Sequence, residues 1–199
     1  MDLTVKGIIT NSIKLGVKNL ASILGAIFLW AITIWIPYLN VGTTIGLICI
    51  LIDISKGSVI SPTAIFNSKY RQYMGEFFLL TSFIYLGIAI GSLFLIIPGI
   101  VISLSWSQAM FLMFDKEINV MEALTVSNKI TKGNKLKMFF SILLLWIMLA
   151  VVLGILFAIF SLVSGTLAMI IMLIGYLFAI SIMFCTQAHI YSVLSKKAV

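Results

Sequence analysis

Long apolar runs alternate with short polar stretches along this chain, and the alternation has a constant phase. Its thirteen basic and six acidic side chains all fall in residues 1–18, 53–76 and 115–137 and at Lys196-Lys197; the runs between carry none. A charge at the bilayer centre costs about 2.5–3.5 kcal/mol on insertion scales, so spanning segments exclude it. The runs predict six spanning helices, at about 20–38, 41–54, 77–97, 100–114, 138–160 and 167–194. Pro37, Asn40 and Gly42 mark the first turn, Pro98-Gly99 the second, and Ser161 to Thr166 the third. The result is an all-α polytopic bundle of six helices in three hairpins, in one integral membrane domain over 1–199. Trp30, Trp35 and Tyr38 suit the far interface of the first span. The second span, at 1.5 Å per residue, covers about 21 Å against a hydrocarbon core of about 30 Å. The third and fourth runs read as one kinked helix would reach about 57 Å, which is too long.

The polar stretches have a pattern of their own. In residues 3–19, Ile9, Ile13 and Val17 share one helical face and Lys6, Lys14 and Lys18 another, which predicts a helix lying on the membrane surface. Ile65, Phe66, Tyr70 and Tyr73 suggest a second interfacial segment within 55–75. Met121, Leu124 and Ile130 give the third stretch an apolar edge. Thr10-Asn11-Ser12-Ile13 with Gly16 and Lys18 aligns with Ser127-Asn128-Lys129-Ile130 with Gly133 and Lys135, which suggests an internal repeat. Three hairpins put every charged stretch on one side. The excess of lysine makes that side cytoplasmic, with both termini inside a bacterial plasma membrane.

Composition agrees with this class. The 199 residues are 62% hydrophobic and 10% charged, against about 25% charged in soluble domains. The net charge of +7 would suggest nucleic acid in a soluble protein; here basic loops that hold orientation account for it, and no nucleic-acid partner is expected. The first apolar run begins near Leu20 and lacks a small-residue cleavage site, so no removable signal peptide is expected. Cys49 and Cys185 lie in apolar runs and read as packing residues.

Candidate chemistry is sparse. His189 is the only histidine, so no metal site is expected. Asp53, Glu76 and Asp115 sit at inner helix ends and could form a cation site, but read better as solvated boundary charges beside Lys56, Lys69, Arg71 and Lys116. Ser103, Ser107, Gln108 and His189 are candidates for a polar path, or for hydrogen bonds between helices. Gly87 and Gly91, like Gly42 with Gly46 and Ser181 with Cys185, have the small-xxx-small spacing of close helix packing; Pro98 and Gly99 join Gly87 and Gly91 as packing candidates. Lys129, Lys132, Lys135 and Lys137 could meet anionic lipid, at about 1 kcal/mol each, or dock a cytoplasmic ATPase or another membrane subunit. Lys132-Gly133-Asn134-Lys135 lacks the lead and the trailing Ser/Thr of a phosphate-binding loop. No nucleophile–base pair is recognisable, so no catalytic residue, cofactor or enzymatic activity is expected.

Two stretches carry a resemblance. Ile96-Ile97-Pro98-Gly99-Ile100, and Glu122-Ala123-Leu124 through Ser127 to Thr131-Lys132-Gly133-Asn134-Lys135, resemble six-helix bacterial integral membrane families, among them the membrane domain fused to some glycerophosphodiester phosphodiesterases. The resemblance implies a fold and a topology and no chemistry, because the phosphodiesterase domain is absent from this chain. The leading expectation is a non-enzymatic protein that handles or senses lipids or amphiphiles. The alternative is a permease subunit of a multi-component, ABC-type exporter.

Overall fold

A computed structural model describes residues 3–58 and 61–197. Asp2, part of the first charged stretch, lies outside the described residues. The described chain is helical, with no strand. Helix α1 (Val5–Lys18) is followed by α2 (Leu20–Thr33) and α3 (Leu39–Ser55). Two short 3-10 turns (Pro62–Phe66 and Ser68–Tyr73) lead into α4 (Met74–Phe94). Then come α5 (Ile96–Trp106), α6 (Ala109–Lys116), α7 (Val120–Thr131), α8 (Lys135–Ser161) and α9 (Gly165–Leu194).

Among the described residues four segments are long and apolar enough to cross a membrane: Ser68–Phe94, Ile96–Lys116, Lys135–Ser161 and Gly165–Leu194. A fifth is reached only if α1 and α2, bent by 74° at their junction, are counted as one broken span. The six-span expectation is therefore not confirmed in the N-terminal third. There α2 has 14 residues and α3 has 17, which at 1.5 Å per residue reach about 21 and 25 Å. The α4/α5 break also differs from expectation. It falls at Leu95, whose backbone is extended, and Pro98 sits inside the first turn of α5, where its missing N–H costs nothing. A second break at Ser107-Gln108 splits α5 from α6.

Large apolar side chains both fill the interior and cover the outer surface. Phe78, Leu86, Trp146, Val152, Ile170 and Leu173 are exposed on α4, α8 and α9, which suits contact with hydrocarbon. Where helices touch, small residues let them approach. The sequence places α1 on a membrane surface through Ile9, Ile13 and Val17; the structure instead buries Ile8, Ser12 and Gly16 against α9. A Cβ on Gly16 would stand 2.7 Å from the Ile182 Cα, and the Ser181 hydroxyl donates to the Gly16 carbonyl at 2.8 Å. Lipid is as apolar as isoleucine, so the face that gains from helix contact is the small one, while Val17 stays exposed.

The same rule closes the α4/α5 hairpin. The Trp106 ring fills the place of a Gly87 side chain, and Gly91 faces Gly99 and Ile102. On α3, Gly46 admits the Ile65 backbone, and on α2 Gly25 admits Pro62. The segment 61–73 is therefore seated on the α2/α3 hairpin, with Ile65 and Tyr70 buried, rather than lying free at the interface. The aligned glycines of the suggested repeat play different parts: Gly16 is inside a helix contact, whereas Gly133 (φ +79°) turns the chain between α7 and α8.

Gly46→Val is expected to lower stability by about 1–3 kcal/mol, because the Ile65 backbone cannot yield. Gly154→Ala, whose Cβ meets nothing within 4 Å and which lies inside α8, should not lower stability and should raise it by up to about 1 kcal/mol. Thermal unfolding in detergent compares the two.

Candidate functional site at the charged end

The charged ends of α3, α6 and α9 meet at Asp115. Helix α6 carries it in its last turn, where the helix dipole disfavours an anion. Its side chain is only 6% exposed, so the charge needs partners. The Lys56 ammonium, just past α3, forms an ion pair with it. The Tyr191 hydroxyl of α9 donates to its Oδ2 at 2.5 Å, and the Tyr191 ring packs on Phe111 with centroids 5.2 Å apart. Asp115 is thus a buried junction, not the solvated boundary charge its position in the sequence suggests. Glu76 is exposed, Asp53 is half-buried, and the three carboxylates do not converge. Among the described residues no group of three His, Cys, Asp or Glu could hold a metal ion.

Beside this junction, α6 ends at Glu117 in a left-handed conformation (φ +53°), which costs about 1–2 kcal/mol in a non-glycine residue. The Tyr73 hydroxyl donates to Glu117 Oε1 at 3.3 Å, and the Tyr73 ring meets Phe114 edge-on at 5.9 Å. Tyr73, Glu76 and Glu117, with Met113, Val120 and Met121, line an open hollow of about 490 Å³.

The polar-path candidates separate into two places. Ser103 and Ser107 donate to carbonyls of their own helix, those of Ile100 and Leu104. Gln108 is fully buried at the α5/α6 break. Its amide donates to Ser107 Oγ at 3.1 Å and to Gln187 Oε1 of α9 at 3.2 Å, and its own Oε1 has no partner. His189, two residues beyond Gln187, turns to α1 instead, with Asn11 Nδ2 3.5 Å from its Nε2. No continuous polar track joins the four residues.

Ser127 repairs the helix break. Its hydroxyl donates to the freed Ser105 carbonyl at 2.7 Å and accepts from the Gln108 N–H at 3.3 Å. The Thr131 hydroxyl also donates to the Ser105 carbonyl, at 3.4 Å, so it is the buried Gln108 N–H that depends on Ser127. At the start of α7, Asn119 Oδ1 accepts from the Glu122 N–H at 2.9 Å, and Asn119 Nδ2 donates to the Glu122 carboxylate at 3.3 Å. Ala123 and Leu124 fill the core below. The Glu122-Ala123-Leu124…Ser127 stretch thus docks α7 under the break.

Lys129, Lys132 and Lys137 are exposed, and Lys135 donates to Asn128 Oδ1 at 3.1 Å. Lys56–Asp115 is the one ion pair among the described residues, so none of these four lysines has a carboxylate partner. Helix α8 starts between them without a side-chain cap. Below this end, Ile100, Ser103, Phe139, Leu143 and Trp146 line an apolar groove of about 360 Å³ between α5 and α8.

Sequence reasoning missed Tyr191 and named Lys56 only as one of four basic residues beside the boundary carboxylates, since no spacing joins positions so far apart. Ser127 was visible only as part of a motif. Tyr191→Phe is expected to cost about 1.5–3 kcal/mol, as a hydrogen bond to a charged group is lost. Combined with Asp115→Asn it should cost less than the sum of the two single changes, as read by a thermal-unfolding cycle in detergent. Ser127→Ala should cost about 1–3 kcal/mol by leaving the Gln108 N–H without a partner. The chain matches no protein-family model, no curated protein and no solved structure.

Proposed function

We propose that this chain is a multi-pass protein of a bacterial plasma membrane, with both termini cytoplasmic, that binds anionic lipid and performs no catalysis. The observation that carries the reading is the row of Lys129, Lys132, Lys135 and Lys137 without carboxylate partners, placed around the uncapped start of α8. Helix N-termini and lysines both favour phosphate. The groove of Phe139, Leu143 and Trp146 begins one turn further along α8, so a headgroup at the lysines continues into a place for an acyl chain. The excess of positive charge on this side supports the cytoplasmic assignment. The likeness of the Ile-Pro-Gly and Ala-Leu-x-x-Ser stretches to six-helix membrane families is compatible with it.

The competing reading, a permease subunit, rests on the exposed face of α7, where Met121, Glu122, Thr125 and Lys129 point outward, as a helix that docks an ATPase would require. One purification in mild detergent separates the two, with native mass spectrometry of retained lipids and proteins. Retained anionic phospholipid is expected, falling by about five-fold for each lysine changed to Gln, since about 1 kcal/mol is at stake per lysine. Retention unchanged in the fourfold Gln variant, or a stoichiometric ATPase, overturns the lipid reading.

A further inference from the structure

The α2/α3 hairpin occupies the place of a transmembrane pair in the sequence, but its packing points elsewhere. The charged level of the protein is set by the α4 and α5–α6 arms. They span Met74–Phe94 and Ile96–Lys116, so their equal lengths bring Tyr73 and Glu117 out together, and the two are hydrogen bonded. Both ends of α3 are tied close to that level. At its C-terminal end Lys56 pairs with Asp115. Near its N-terminal end, Gly42 lies under the Arg71 side chain, whose Cγ would be 3.1 Å from a Cβ there. Arg71 is two residues from Tyr73, a separation of about 4 Å along a 3-10 turn. From Gly42 to Lys56 the helix axis runs about 21 Å. A helix standing upright would carry Gly42 that far from the charged level, beyond the reach of Arg71. Helix α3 therefore lies inclined along that level.

Helix α2 leads to the same geometry. Helix α1 runs antiparallel along α9: Leu3 shares a hollow with Val193, Asn11 meets His189, and Gly16 meets Ile182. From that direction α2 departs by 74°. The polar turns cross the hairpin at Gly25 and Gly46. Beyond Gly25, α2 extends only about 12 Å to Thr33, less than half of a hydrocarbon core of about 30 Å. That outer part exposes Phe28 (66%), Ile32 (55%), Trp35 (86%) and Tyr38 (78%).

Its polar groups are closed internally, as hydrocarbon demands. Trp30 Nε1 donates to Thr44 Oγ1 at 2.8 Å, the Thr33 and Thr43 hydroxyls are 2.9 Å apart, and Asn40 Nδ2 donates to the Ile34 carbonyl at 3.2 Å. Lys14 and Lys18 flank the base on α1, and Lys69 and Arg71 flank it on the 3-10 turn; all four are exposed.

We propose that the α2/α3 hairpin is a wedge that enters only the leaflet on the charged side and returns, with Phe28, Ile32, Trp35 and Tyr38 among the acyl chains and the four basic residues at the phosphates. The protein then crosses the bilayer four times, and the wedge adds area to one leaflet. This rests on the membrane reading above but not on lipid binding at α8.

Single cysteines in the full chain test it, in a Cys49→Ala/Cys185→Ala background, with a membrane-impermeant maleimide applied to either face of native membranes. Leu95→Cys and Leu162→Cys report the uncharged face, and Lys129→Cys the charged face. Trp35→Cys, with Ile36→Cys as a second probe, is expected to show no labelling from the Leu95 face. Labelling there at the level of Leu162→Cys means that the hairpin crosses, and overturns the wedge. Labelling of Leu95→Cys and Lys129→Cys from the same face overturns the membrane reading itself.

Discussion

A carboxylate at the wrong end of a helix organises this protein. Asp115 sits where the α6 dipole is negative, largely shielded from water. It is tolerable only while Lys56 and Tyr191 are present, and these come from the end of α3 and the end of α9. The junction therefore ties together parts of the chain that hydrophobicity alone would leave free to slide. Lys56 is 54% exposed, so only the carboxylate is shielded, and the pair acts by supplying that carboxylate with a counter-charge. Here the pair fixes the C-terminal end of α3 against the end of α6.

Around that junction large side chains fill the core, among them Ile54, Phe111, Leu112, Ile190 and Tyr191, while small residues set how closely the helices approach. In a soluble protein the large apolar face of α1 would turn inward. Here Ile8, Ser12 and Gly16 do so, and the contact is completed by a hydroxyl from Ser181 to the Gly16 carbonyl. Gly46 under Ile65, Gly87 under Trp106 and Gly91 beside Gly99 repeat the device. Hydrocarbon offers the large side chains as good an environment as another helix does. What remains to distinguish inside from outside is close van der Waals contact and the satisfaction of polar groups.

Polar groups in the membrane-facing part are accordingly spent on structure. The break at Ser107-Gln108 frees backbone groups that Ser127 recovers, and Gln108 reaches across to Gln187. The lysines around the start of α8 have no carboxylate partner, and in the interior Gln108 Oε1, Ser12 Oγ and Thr81 Oγ1 have no hydrogen-bond partner. The proposed lipid reading rests on that basic rim alone.

The placement of charge was legible in the sequence residue by residue, because hydrocarbon excludes each charge independently of its neighbours. That was enough to mark α8 and α9 within a few residues, the α4/α5 hairpin, and the charged side common to all of them. It also marked Gly87 and Gly91, whose spacing is local to one helix. Not legible were the attitude of residues 20–55, the buried face of α1, the closure of the α5/α6 break and the shielding of Asp115. An apolar run of fourteen to seventeen residues satisfies hydropathy whether it crosses or dips. The contacts from which the wedge is proposed, between Lys56, Asp115 and Tyr191 and between Gly42 and Arg71, join residues that only the folded chain brings together.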